Sequence, residues 1–222
     1  MVKIQLKLST MRQESTVETE IKSLLLAGYT GRNQETVKKH IEELRKIGVA
    51  PPKKVPTVYS VSPELLTNEE EIAVRSKTTS GEIEYVLLLT EDQIYVTVGS
   101  DETDRDIEKI DVQKSKEACP KVIAKKAWLY DEIRDHWDDI AMRAVAHEGG
   151  RNIIYQETSF EALLEPDILM ETLDARREGV AIFSGTIPLK QKMIYADEFE
   201  VEIYDLNMNR KISHRYKVRR VV

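Results

Sequence analysis

Apolar and polar positions alternate through much of this chain, and the exceptions are short apolar runs bounded by turn residues. Val2 to Leu8 alternates like a half-buried strand, and Ser23–Ala27 is an apolar strand behind a polar linker that can serve as a hairpin loop. Val86–Leu89 is a buried-strand run, Thr90–Gln93 a polar turn and Ile94–Val98 a β-branched and aromatic run, which together predict a hairpin. Asn152–Tyr155, Gly179–Pro188, Ala196–Ile203 and Lys211–Val222 predict further strands, the last a solvated, basic edge strand. Helical spacing is rarer. Val37, Ile41, Leu44 and Ile47 form one stripe of a helix that starts near Asn33 and closes at Gly48. Ile133, Trp137, Ile140 and Ala144 predict a second helix over Trp128–Val145. Thr158-Ser-Phe-Glu161 fits a capping box opening a third helix or turn. Pro51, Pro52, Pro56 and Pro63 make residues 50–64 a stiff, extended connector. Many short strands and few helices are predicted.

Composition narrows the setting. The 222 residues suffice for one large domain or two small ones, and no linker, repeat or low-complexity segment divides them. A hydrophobic fraction of 41% is ordinary for a chain that buries a core. The net charge of −6 argues against nucleic acid as the main partner. No apolar stretch is long enough to cross a membrane, and a single cysteine, Cys119, permits no internal disulfide and suits a reducing compartment. A soluble, cytoplasmic protein without nucleic-acid or membrane partners is expected.

The hairpin carries carboxylates where an apolar pair of strands does not favour them. Side chains on a strand alternate faces, so Glu82 and Glu84 project to one side, roughly 6–7 Å apart. A turn centred between Glu91 and Asp92 pairs Leu89 with Ile94, Leu87 with Val96 and Glu82 with Asp101, which brings a third carboxylate to the same end. Two readings are open: the solvated face of an edge strand, or a site where a cation offsets like charges. Three oxygen donors suit Mg²⁺, Mn²⁺ or Ca²⁺. Elsewhere, His40 and Glu43 neighbour each other off the apolar stripe of their helix, either as a surface pair or as a functional one.

The hairpin continues into Asp101-Glu-Thr-Asp-Arg-Asp106, then Lys114-Ser115 and Cys119-Pro120. In that order these resemble the fumarylacetoacetate hydrolase superfamily, where a Glu-x-Glu strand and an Asp ahead of an Ala-Arg-Asp segment bind a divalent metal and a Lys-Ser pair follows. Gly31-Arg-Asn33, His40-Ile-Glu-Glu43 and the proline-rich turn resemble the same family's lid region, and Gly185-Thr186 its Gly-Thr turn. The resemblance covers roughly residues 25–205, in an uncharacterised branch of the superfamily. It departs at Glu108, where glutamine is usual, at Val61, where many members have lysine, at Ile187 before Pro188, and in a shortened loop before Lys114.

The resemblance implies an α+β, mainly β fold: a rolled mixed sheet with short peripheral helices, as one domain over residues 1–222. The N-terminal strands and lid helix fill about 1–50 and the metal-binding core about 55–222. It implies a metal site of Glu82, Glu84 and Asp101 holding Mg²⁺ or Mn²⁺, with Ca²⁺ an alternative. The implied enzyme acts on a small anionic oxo or enol acid as a C–C hydrolase, decarboxylase or isomerase of acylpyruvate or oxaloacetate type. His40, Glu43 and Lys114 are its expected catalytic residues, and Arg105, Lys114, Gly185 and Thr186 its substrate contacts. Cys119 is expected to be a buried structural thiol, and the protein a homodimer. The alternative is a metal- or anion-binding protein that keeps the fold without turnover.

Overall fold

The computed structural model describes residues 1–46 and 51–221, apart from the side chains of His40 and Leu44. In chain order, strands β1 (Val2–Ser9), β2 (Glu14–Ile21) and β3 (Ser23–Gly28) precede helix α1 (Gln34–Lys46). Asn33 caps α1, its Oδ1 accepting from the amides of Glu35 and Thr36 at 3.0 and 3.1 Å. The predicted C-terminal end of this helix, Ile47 and Gly48, lies outside the described residues. Next come β4 (Thr57–Val61), β5 (Leu66–Thr67), β6 (Glu71–Val74), β7 (Thr79–Ser80) and the hairpin β8 (Ile83–Leu89) and β9 (Ile94–Asp101). After β10 (Thr103–Asp104) two short helices, α2 (Arg105–Glu108) and α3 (Val112–Glu117), lead to β11 (Lys121–Ile123) and β12 (Lys126–Leu129). Helix α4 (Tyr130–Ile133), β13 (Ile140–Glu148), β14 (Arg151–Ser159), α5 (Pro166–Thr172), β15 (Val180–Phe183), β16 (Glu198–Asp205) and β17 (Arg210–Arg220) complete the chain.

A ten-stranded mixed sheet runs β2-β1-β12-β9-β8-β15-β3-β4, with β11 and β5 continuing from β9, and a five-stranded sheet runs β14-β13-β16-β17-β6. Strand β8 is buried along its whole length because both of its faces are covered. Ile83, Tyr85, Leu87 and Leu89 face the larger core, shared with Met142, Val201 and Tyr216 of the second sheet. Val86 and Leu88 face a smaller core with Leu6, Leu24 and Leu26. The period of two therefore puts Glu82 and Glu84 on the small-core side, at the end where that core runs out.

Several sequence expectations change here. The polar linker before Ser23 is itself a strand, β2, paired with β1 from Val2↔Ile21 to Ser9↔Glu14. The second predicted helix stops early: Trp128 lies in β12, a turn of α-helix and a 3-10 segment carry residues 130–139, and the chain is extended from Ile140. Ile140, Met142, Ala144 and Ala146 bury one face of β13 while the residues between them are only partly buried, so the period of two prevails over the period of 3.6. Strand β17 is no edge, since it pairs with β16 on one side and β6 on the other. Thr158 and Ser159 end β14, and Ser159 makes no side-chain cap on the 3-10 turn that follows. Among the described residues no helix is long and apolar enough to cross a membrane.

Candidate metal centre

The hairpin register is the one the turn dictates: Leu89 pairs with Ile94, Leu87 with Val96 and Ile83 with Ser100. The Asp101 amide then donates to the Glu82 carbonyl at 2.9 Å. Oxygens of Glu82, Glu84 and Asp101 all come within 4.8 Å of one another. Glu84 sits opposite Gly99, where a Cβ would lie 2.6 Å from the Val122 carbonyl and 2.8 Å from Val86 and Phe183. Only glycine leaves room there. On the other side, the Gly185 amide donates to Glu84 Oε2 at 2.7 Å from a backbone with φ of 85°, and a Cβ would meet the Thr30 hydroxyl at 2.4 Å. Gly185 thus holds a carboxylate, while the Thr186 hydroxyl donates to the Ile83 carbonyl at 2.9 Å and lines the cavity above.

Three cations surround the carboxylates, and one is not the lysine expected. Lys114 is exposed, its ammonium 3.8 Å from Asp111 and away from the cluster. Lys116 is buried, hydrogen-bonded to Asp101 and 3.6 Å from Glu82. Two positions on a helix are about 200° apart, so only one of the pair can face inward. Asp111, which caps α3 through the Lys114 amide, sets the phase that turns Val112 and Lys116 to the cavity. Lys121, fully buried, reaches Asp101 at 2.7 Å and the Glu102 carbonyl at 2.6 Å. Arg105 is buried too. Its Nη1 donates to both Glu108 oxygens at 3.0 and 3.1 Å, its Nε donates to Ser80 Oγ at 2.8 Å and its Nη2 lies 3.3 Å from Glu82, and it does not line the cavity. Glu108 replaces glutamine in the resemblance and here serves as that arginine's partner.

These contacts push the carboxyls of the cluster in opposite directions. Burial alone would raise Asp101, but the Lys116 and Lys121 ammoniums outweigh it and hold the carboxyl at about 2. Glu84 is pushed well above the usual carboxylate range, first by burial and then by Asp101. Glu102, whose carboxylate accepts from the Tyr216 hydroxyl at 2.6 Å, is raised by burial to about 7. Glu82 and Glu84 line one wall of a cavity of about 510 Å³, and Thr36 and Val37 of α1 line another part of it. The loop after β14 is fixed by Tyr85 Oη to the Leu164 carbonyl (2.5 Å) and Arg32 Nε to the Leu163 carbonyl (2.6 Å). His40 lies in α1, but its side chain is outside the described residues; Glu43 in the same helix is exposed.

A family model described as "Protein of unknown function (DUF2848)" matches residues 27–216. The chain belongs to that family. Solved structures show that this DUF2848 chain has the fumarylacetoacetase type of fold. Cg1458 is 14% identical with a TM-score of 0.65, covering 95% of this chain and 83% of its own. A 2-keto-3-deoxy-D-arabinonate dehydratase complexed with magnesium and 2,5-dioxopentanoate is 20% identical with a TM-score of 0.64, covering 90% and 74%. A fumarylacetoacetate hydrolase from psychrophilic Exiguobacterium antarcticum is 13% identical with a TM-score of 0.57, covering 95% and 82%. No curated protein matches the sequence.

The donor set of this DUF2848 chain fits a hard divalent cation. Opposite oxygens around an ion stand twice the metal–oxygen distance apart, roughly 4.2 Å for Mg²⁺ and roughly 4.6–5.2 Å for Ca²⁺, so oxygens within 4.8 Å of one another can span Ca²⁺ as they stand and would draw in by a few tenths of an ångström around Mg²⁺. Glu82, Glu84, Asp101 and Glu108 face Arg105, Lys116 and Lys121, which leaves the ionised set one positive charge short. No ion pair among the described residues reaches Glu84, and a divalent cation would supply the missing charge. Sequence reasoning missed Lys116 and Lys121. The first was legible in principle, because a helix capped by Asp111 places Val112 and Lys116 one turn apart on a single face.

Proposed function

We propose that the chain is a divalent-metal-dependent enzyme acting on a small oxo or enol acid. The observation that carries this reading is the Glu82, Glu84 and Asp101 cluster at the wall of a cavity large enough for such a molecule. The magnesium-bound dehydratase that shares the fold, and that holds the oxo compound 2,5-dioxopentanoate, supports it. Held by the three carboxylates, Mg²⁺ or Mn²⁺ would supply Lewis-acid stabilisation of negative charge on a substrate oxygen. The remaining work falls to the chain's own side chains. Lys116 presents an ammonium at the cavity wall, in reach of a carboxylate or enolate oxygen. Arg105 does not touch the substrate in this reading; it clamps Glu82 and Glu108 and so fixes one metal ligand. Gly185 orients Glu84. His40 and Glu43 are the proposed acid/base pair, on the helix whose first turn walls the cavity.

Calorimetry tests the reading directly. Mg²⁺ or Mn²⁺ should bind at one site, Glu84→Gln and Asp101→Asn should abolish that binding, and oxalate should bind only to the metal-loaded protein. Unchanged metal binding in both variants, or oxalate affinity independent of metal, sinks it. The orientation of Arg105 away from the cavity favours one second reading, a binding protein without turnover; oxalate would then bind while a panel of oxo acids stayed unconverted. A cytoplasmic homodimer completes the proposal, and light scattering checks its assembly.

A further inference from the structure

We infer that Lys116 is the resident counter-cation of the carboxylate cluster, that a divalent ion dislodges it from Asp101, and that the released ammonium completes the binding site for the anionic ligand. The inference rests on the metal-dependent reading of this site and adds an order to it, ion before acid. Among the described residues, Lys116 is the one cation that contacts two of the three clustered carboxylates: it is hydrogen-bonded to Asp101 Oδ2 and lies 3.6 Å from Glu82 Oε2. Its charge is felt at the third as well. Burial works to lower the Lys116 ammonium, but Asp101, Glu82 and Glu84, in that order, raise it above the ordinary lysine range. One ammonium therefore stands against the same oxygens, all within 4.8 Å of one another, that fit a divalent ion.

Both Asp101 oxygens face an ammonium, Lys121 at 2.7 Å from Oδ1 and Lys116 on Oδ2. An ion that ligates Asp101 has to displace one of them or share an oxygen with it. Sharing sets a double charge against a single one across one atom, in a buried place where salt screens little. The two lysines are not equally able to yield. Lys121 is fully buried, donates to the Glu102 carbonyl at 2.6 Å, and sits in β11 directly opposite Asp101, between β9 and β5. The Lys116 ammonium has only carboxylates as partners among the described residues, and its side chain already lines the cavity. Its flexible four-carbon stem lets the charge turn into that space. With the ion neutralising Asp101 and Glu82, Lys116 is left to face the ligand. An acid then meets a free ammonium only where the ion is bound, which couples the two ligands positively through one side chain.

Calorimetry of the full chain with Mg²⁺, and then with oxalate, tests this because the two affinities should move in opposite directions in one variant. Lys116→Met should bind Mg²⁺ about tenfold more tightly than the wild type and, once loaded, bind oxalate about tenfold more weakly, each the equivalent of one charge-assisted hydrogen bond. Loss of a merely structural lysine would weaken both. Lys116→Gln, shorter and neutral but still a donor, should behave alike and guards against a methionine variant that does not fold. The wild type gives a readout of its own. Lys116 and Lys121 are both buried, so each should show a slowly exchanging ammonium signal in NMR spectra of lysine-labelled protein, and Mg²⁺ should release one of the two to solvent exchange while the other persists. Mg²⁺ binding that is unchanged or weaker in both Lys116 variants, or two ammonium signals that both persist at saturating Mg²⁺, overturns the inference and leaves the metal-dependent reading standing. Failure of the wild type to bind Mg²⁺ overturns both.

Discussion

Replacing Lys116 with methionine should be far more damaging than the same change at Lys114, although the two are one residue apart on either side of Ser115. Lys116 is 7% exposed and contacts two carboxylates, whereas the Lys114 side chain is 73% exposed beside Asp111. Removing one partner of a buried ion pair costs about 3–5 kcal/mol, because the other charge is left uncompensated. Asp101 keeps Lys121 at 2.7 Å, so the low end, about 3 kcal/mol, is expected. For a chain of this size that lowers Tm by about 6–12 °C. Lys114→Met should stay within about 0.5 kcal/mol of wild type, or under about 2 °C. Differential scanning calorimetry in chelator measures both. Adding Mg²⁺ should then restore part of the Lys116→Met loss, since a ligand at 100 times its Kd stabilises the native state by about 2.7 kcal/mol. Equal shifts in the two variants would refute the assignment of Lys116 to the cluster.

Other consequences are open to direct measurement. Gly99→Ala should destabilise by about 1–3 kcal/mol by denaturant unfolding, because the new methyl meets the Val122 carbonyl at 2.6 Å; a neutral substitution would show that the strands beside Glu84 can part. Cys119 is buried and its thiol is pushed up to about 12 by that burial, so it is protonated at neutral pH and should resist a thiol reagent in the native protein and react once the chain is unfolded. Fast reaction in the folded state would contradict this. His214, whose Nε2 lies 3.0 Å from the Glu69 carbonyl, is held below the usual imidazole range, first by burial. The unfolded chain then takes up that proton at about 6.5, before the native state does. Stability should therefore be full above that pH and fall as pH drops below it, and His214→Gln should flatten that part of the urea-midpoint profile against pH.

The carboxylate cluster was legible because two local rules suffice for it. The Thr90–Gln93 turn sets the pairing arithmetic, and strict alternation then carries Glu82, Glu84 and Asp101 to one face. The lysine was not legible from a Lys-Ser pair alone, because residue type says nothing about helical phase and α3 is short enough for its cap to decide it. Residues 140–148 misled for another reason. Ile133, Trp137, Ile140 and Ala144 satisfy a helical stripe while Ile140, Met142, Ala144 and Ala146 satisfy a strand, and the choice rests on pairing with β14 and β16, partners distant in sequence. Strand β2 escaped notice because its exposed face is polar, with Val17 only partly buried. The cations that clamp the cluster come from three separate segments after the hairpin, and no pattern local to the carboxylates announces them.

The double burial of β8 also fixes which side of the cavity can yield. Strand β8 pairs with β9 from Ile83 to Leu89 and with β15 from Val86 to Leu89, the Ile83 amide donates to Gln156 Oε1 at 3.0 Å, and both faces are covered, so hydrogen exchange of these amides should require opening of the whole sheet. The backbone that carries Glu84 then behaves as a fixed anvil, and fitting to a ligand falls to the opposite wall, where Thr36 and Val37 of α1 meet the cavity. Ligand selectivity would be tuned by altering that wall, while changes to the hairpin would be felt first as lost stability.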